Sequence, residues 1–125
     1  MKMLLASNDP HARDAVEQYC YAIVRHLGSL AAALGGLDAL VFTGGIGENS
    51  ADIRARVCQR AAWLGVSLDP DANALNGPRI NRAGAGVGVW VVPANEELMI
   101  ARHTRQVLGG RMVSDLFSGP AQARD

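Results

Sequence analysis

Lysine is almost missing from this chain: Lys2 is the only one among 125 residues, and every other basic residue is arginine. That removes from nearly the whole chain the lysine that P-loop phosphate sites and Schiff-base chemistry need. Cysteine is scarce too. Cys20 and Cys58 lie far apart and neither belongs to a C-x-x-C pair, so the pattern points to two reduced, buried thiols rather than to zinc or redox chemistry. Such thiols suit a cytoplasmic protein. An excess charge of either sign is absent, with 12 basic and 12 acidic residues for a net charge of zero. No basic field is available to attract nucleic acid. No apolar run approaches the roughly 20 residues of a membrane span, and the apolar part of Met1-Lys2-Met3-Leu4-Leu5-Ala6 is too short for a secretory signal. No internal repeat is visible.

What is present is an ordinary globular composition, 49% hydrophobic and 19% charged, in a length that suits one modest domain. Asp9-Pro10 predicts the start of a long helix, with aspartate as N-cap and proline at the first helical position. Val16, Tyr19, Cys20, Ile23, Leu27, Leu30, Ala31 and Leu34 recur at helical spacing, and Gly35-Gly36 is the expected stop. His11 and His26 fall on the polar side and read as surface residues. Residues 38–43 form a nearly continuous apolar run, the pattern of a parallel-sheet strand covered on both faces.

A glycine-rich turn follows, Gly44-Gly45-Ile46-Gly47-Glu48-Asn49-Ser50. Glycines at a strand-to-helix junction let backbone N–H groups come close to a ligand. The spacing matches neither familiar phosphate loop: the Lys-Ser/Thr ending of one and the third glycine of the other are both lacking. Asn49 or Ser50 is placed to cap the next helix, which runs to Gly65 with Ile53, Val57, Ala61 and Leu64 on one face. Arg54, Arg56 and Arg60 lie elsewhere on it and read as a solvated face.

Residues 67–88 turn to Asp, Pro, Asn and Gly, with turn signals at Asp69-Pro70 and Gly77-Pro78 and a short extended piece expected at Arg79-Ile80. Asp69 and Asp71 lack the further ligands of a calcium loop. Residues 87–92 form a second apolar strand closed by Pro93. Asn95 then caps a helix running through Leu98, Met99, Ala101, Val107 and Leu108 to Gly109-Gly110. Two readings stand for Glu96 and Glu97: carboxylates that favour the helix dipole, or a carboxylate that meets a metal ion directly or through water. His103 reads as packed or solvent-facing, and residues 111–125 as a weakly ordered tail. The predicted order is helix, strand, helix, strand, helix, an α/β layer with parallel strands. Two strands are few for three amphipathic helices, so the chain reads as part of a larger sheet.

At Phe42-Thr43-Gly44-Gly45-Ile46-Gly47-Glu48-Asn49-Ser50, and again at Pro93-Ala94-Asn95-Glu96-Glu97-Leu98-Met99-Ile100-Ala101-Arg102, the sequence resembles the C-terminal part of acetate kinases. The helix end and strand start at residues 30–41 resemble the same family, and the resemblance runs from about Ser7 to Leu108. It implies a partial ribonuclease H-like (actin-like ATPase) domain, residues 1–110, with the early strands of its sheet missing. It also implies phosphoryl transfer between ATP and acetate, giving acetyl phosphate and ADP, with magnesium. Gly45, Ile46, Gly47, Glu48 and Asn49 would form the adenine-nucleotide segment, and Glu96 the magnesium ligand. Position 44, commonly alanine in the family, is glycine here. The resemblance implies a homodimer, and it places the catalytic residues and the acetate pocket upstream of this chain. By this reading the isolated chain is catalytically incomplete. The alternative is a non-catalytic assembly module or a truncated remnant.

Overall fold

The computed structural model describes residues 1–108. It divides into two compact units, Met1–Pro93 and a second from Ala94 onward. The expected tail at residues 111–125 lies outside the described residues. The first unit opens with α1 (Lys2–Leu5) and α2 (Pro10–Leu34), then β1 (Ala39–Phe42), α3 (Gly44–Asn49) and α4 (Ala51–Arg60). A 3-10 turn (Ala62–Leu64), α5 (Pro70–Ala74) and β2 (Gly88–Val91) complete it, and α6 (Glu96–Leu108) belongs to the second unit. The order is thus fuller than the simple alternation expected, through the short helices that flank and follow the glycine segment.

Helix α2 is delimited by the residues that predicted it. Asp9 Oδ1 accepts from the N–H of His11 at 2.9 Å, and Pro10 is the first helical residue. At the far end Gly36 donates to Ala31 O at 2.9 Å and Gly35 to Ala32 O at 3.3 Å, closing the last turn. Ala12, Val16, Cys20 and Ala31 are buried along its length, yet Leu30 and Leu34 are 63% and 75% exposed. The apolar stripe therefore extends beyond the surface that the described residues offer it.

Strands β1 and β2 pair in parallel, Ala39 opposite Gly88 through Phe42 opposite Val91. The outer edge of β2 is taken by an extended piece near the predicted place. Ile80 donates to Val89 O at 2.8 Å and Val91 to Pro78 O at 3.0 Å, with an antiparallel bridge between Arg79 and Trp90. No strand among the described residues pairs with the other edge of β1. The expectation that β1 is covered on both faces fails: Val41 is 51% exposed and only alternate residues are partly covered. The apolar run at residues 38–43 thus has a second face that is half open to solvent at Val41.

Helix α4 stands between two packed clusters. Ile53 and Val57 join Val16 and Cys20 of α2. Cys58 and Ala61 join Val66, Ile80, Val87, Val89 and Val91 at the sheet, and Phe42 packs against both groups. Each fully buried aliphatic side chain contributes roughly 1.5–3 kcal/mol, so α4 links most of the stabilising burial. Both thiols are free and buried, as their isolation in sequence predicted.

Arg54 corrects the sequence reading. It lies in no solvated face but is wholly buried, 0% exposed. Arg56 and Arg60 do face outward, where both pair with Glu17 of α2, Arg56 at 2.6 Å. Arg56 also meets Asp52 at 2.9 Å one turn earlier. Asp69-Pro70, expected as a plain turn, begins α5: Asp69 Oδ1 accepts from the N–H groups of Asp71 and Ala72 at 3.0 and 3.1 Å.

Candidate functional site

The glycine segment follows the C-terminal end of β1, the side on which open α/β sheets bind their ligands. It is a short helix in its own right rather than a bare turn. Thr43 stays extended before it, and Gly44 takes a φ of 72°, a left-handed conformation that costs a side-chain-bearing residue roughly 1–2 kcal/mol. Glycine at position 44 is therefore used for its backbone, a larger consequence than mere added freedom. The N–H of Gly44 donates to Glu48 Oε1 at 2.7 Å. Asn49 Nδ2 donates to Gly45 O at 2.9 Å, and Ser50 N–H to Ile46 O at 3.0 Å. The polar side chains of the segment thus brace their own backbone.

The five predicted nucleotide residues divide into two groups. Ile46 turns inward and packs on the Val16–Cys20–Ile53–Val57 cluster, so it anchors the segment. Gly47 fits against β1 so closely that a Cβ would lie 3.3 Å from the carbonyl carbon of Phe42. Gly45, by contrast, is exposed with nothing within 4 Å of where its Cβ would be. Glu48 and Asn49 line a cavity of about 300 Å³ together with Asn76, Pro78, Val91 and Pro93. Sequence reasoning missed Asn76 and Pro78 as wall residues; the Gly77-Pro78 turn was the only signal available. A larger hollow of about 520 Å³, lined by Asp14, Glu17, Gln18, Tyr21 and Arg60, contains none of the predicted residues.

Beneath the segment lies Arg54. Its Nη1 donates to Gly47 O and Glu48 O, both at 2.9 Å. Its Nε donates to Asn73 Oδ1 at 2.7 Å, and its Nη2 to Asn73 O at 2.8 Å and to Asn76 Oδ1. Burial pulls the guanidinium pKa below its ordinary value, with the nearby Cys58 opposing that shift. Burial in turn pushes the Cys58 thiol up to about 12, with Arg54 pulling the other way.

Glu96 stands in the second unit, exposed in the first turn of α6 beside Glu97. Asn95 Oδ1 accepts from the N–H of Leu98 at 3.0 Å, the capping bond its position predicted. Among the described residues no group of three or more His, Cys, Asp or Glu is arranged to hold a metal ion. Glu96 offers one carboxylate, and magnesium is commonly held by one or two carboxylates together with waters and phosphate oxygens.

A mixed α/β layer with a small parallel sheet, and a braced glycine segment at its ligand side, places the chain among α/β proteins whose sites form at strand ends. The acetokinase family model matches residues 1–102. The chain is 63% identical over 114 residues to the acetate kinase of Rhodopseudomonas palustris strain TIE-1, covering 89% of this chain and 29% of that protein. Against the acetate kinase of Rhizobium meliloti the identity is 56% over 104 residues, 83% of this chain and 26% of that one. Among solved structures, a propionate kinase from Francisella tularensis superposes with a TM-score of 0.73 at 38% identity, covering 81% of this chain and 26% of that one. Porphyromonas gingivalis acetate kinase gives 0.67 at 41%, covering 78% and 25%. This chain belongs to the acetokinase family. It spans less than a third of the length of these relatives.

Proposed function

We propose that this chain supplies the adenine-nucleotide wall and one magnesium contact of an acetate kinase, an enzyme that transfers a phosphoryl group from ATP to acetate. The observation that carries this reading is the family match over residues 1–102, a stretch that includes both the glycine segment and Glu96. In support, Glu48 and Asn49 line a cavity at the end of the parallel strands, and the backbone of Gly45 is open to close approach. On this reading the sheet is part of a ribonuclease H-like domain of the actin-like ATPase type.

Phosphoryl transfer rests on positioning and on stabilising charge around the moving group. Gly45, Ile46, Gly47, Glu48 and Asn49 would hold the adenine nucleotide, Gly45 through its bare backbone and Ile46 by fixing the segment to the core. Glu96 would hold magnesium, whose chemistry when bound is to neutralise phosphate charge. No residue of this chain is assigned to the attack of acetate on the γ-phosphorus; those groups, and the acetate pocket, belong to the rest of the enzyme. Acetyl phosphate and ADP are the products.

Titration calorimetry of the 125-residue chain with ADP tests the reading. Saturable binding is expected, tightened by magnesium in the natural sequence and less so in Glu96→Gln. Addition of the remaining portion of a relative's sequence in trans is expected to restore acetyl phosphate formation. An inactive mixture beside an active full-length control would refute the catalytic part.

A second reading, assembly into a homodimer, is favoured by the exposed Leu30 and Leu34 of α2 and by the exposed face of β1. Light scattering decides it: a monomer across the micromolar range counts against association.

A further inference from the structure

A guanidinium has five N–H donors in a rigid fork, and in Arg54 all five are engaged. Two reach the carbonyls of Gly47 and Glu48 at the end of α3. Two go to the side chain and carbonyl of Asn73, and one to the side chain of Asn76. Every acceptor is an amide oxygen, and none of the ion pairs among the described residues involves Arg54. Stabilising the fold does not explain so costly a choice, because a buried charge facing only neutral groups is harder to keep than an apolar side chain of the same size.

The geometry of the acceptors gives a reason. Asn76 has a φ of 50°, the only non-glycine residue with positive φ among those described, and its side chain is drawn to Arg54 while the residue lines the cavity. Glu48 and Asn49 line the same cavity. Asn73 is fastened in turn, its Nδ2 donating to Ala51 O at 2.9 Å. One side chain therefore ties two separate walls, the end of α3 and the turn after α5, to the start of α4.

We propose that Arg54 is a positioning residue for nucleotide binding, a clamp that fixes the glycine segment and the Asn76 turn at the separation the ligand requires. This rests on the nucleotide reading of the segment. Arg54 is buried beneath the segment and acts through Glu48, Asn49 and Asn76. Lysine, with three donors on a single nitrogen, cannot span the same five oxygens.

The test compares the 125-residue chain with Arg54→Lys and with Asn76→Gly, which keeps the left-handed backbone without strain and removes one strand of the clamp. Amide hydrogen exchange, thermal unfolding and ADP titration are read on each. In both variants, exchange at residues 44–49 is expected to quicken about tenfold while the core amides of Val57 and Val89 change by less than about threefold. ADP affinity is expected to fall about tenfold, the equivalent of about 1.4 kcal/mol. Asn76→Asp, which retains an acceptor oxygen, is expected to exchange like the natural chain. Unchanged exchange at residues 44–49 would overturn the clamp, and so would uniform quickening of all amides, the mark of a purely structural role. Failure of the natural chain to bind ADP would refute the nucleotide reading, and with it the ligand half of the proposal, while the exchange data still judge the clamp.

Discussion

Two glycines of the same short helix make opposite predictions. At Gly45 an added methyl group meets nothing within 4 Å, whereas at Gly47 it would lie 3.3 Å from the carbonyl carbon of Phe42 and 3.5 Å from its Cα and Cβ. Neither residue has positive φ, so alanine at either position gains about 0.5–1 kcal/mol from reduced chain entropy. Gly45→Ala has no opposing cost and is expected to stabilise by roughly 0.5 kcal/mol. Gly47→Ala must push α3 away from β1 against backbone atoms that cannot rotate aside, and such overpacking costs about 1–3 kcal/mol. The net expectation is a destabilisation of about 1 kcal/mol. Ligand binding should reverse the ranking for Gly45. A methyl group on the exposed backbone bars close approach, so ADP affinity should fall at least about tenfold in the more stable variant. Urea unfolding and ADP titration on both variants decide the matter. Equal stabilisation by the two substitutions would refute the packing argument, and undiminished ADP affinity in Gly45→Ala would refute the role given to its backbone.

Cys58 makes stability depend on alkaline pH. Its folded pKa of about 12 lies above the unfolded value of 9.0, so the folded state holds its proton more tightly. The resulting stabilisation is complete below pH 9 and is lost as pH rises toward 12, by up to about 1.4 kcal/mol per pH unit. Unfolding midpoints measured from pH 8 to 11 should fall accordingly in the natural chain and less in Cys58→Ala; parallel curves would refute the assignment. Glu17 bridges Arg56 and Arg60 at the surface, so Glu17→Gln should cost no more than about 1 kcal/mol. That difference should shrink in 1 M salt, and persistence at high salt would show that packing rather than charge is at work.

The elements legible in the sequence are those whose signals are local. Asp9-Pro10 and Gly35-Gly36 mark both ends of α2, and the apolar runs at residues 38–43 and 87–92 mark the two strands. The same aspartate-proline signature opens α5 at Asp69-Pro70, but a composition rich in Asp, Asn and Gly directed the reading toward a turn. Helix α3 escaped recognition because its glycines favour a turn and its helical form depends on distant partners, Ile46 on the core and Arg54 beneath it. Arg54 escaped for the same reason. Beside Arg56 and Arg60 it looks like one of a surface trio, and its acceptors Asn73 and Asn76 come much later in the chain. Of the cavity lining, Glu48 and Asn49 belong to the segment that the sequence singled out and Asn76 does not, since only the fold brings the three to one cavity.

The clamp around Arg54 has a further consequence in acid. Its acceptors are the carbonyls of Gly47, Glu48 and Asn73 and the side-chain amides of Asn73 and Asn76, none of which takes up a proton in ordinary buffers. The hydrogen bonds that Arg54 itself makes therefore contain no acid-labile acceptor. Acidification should therefore leave the bonds that join Arg54 to the α3 end and to the Asn76 turn intact.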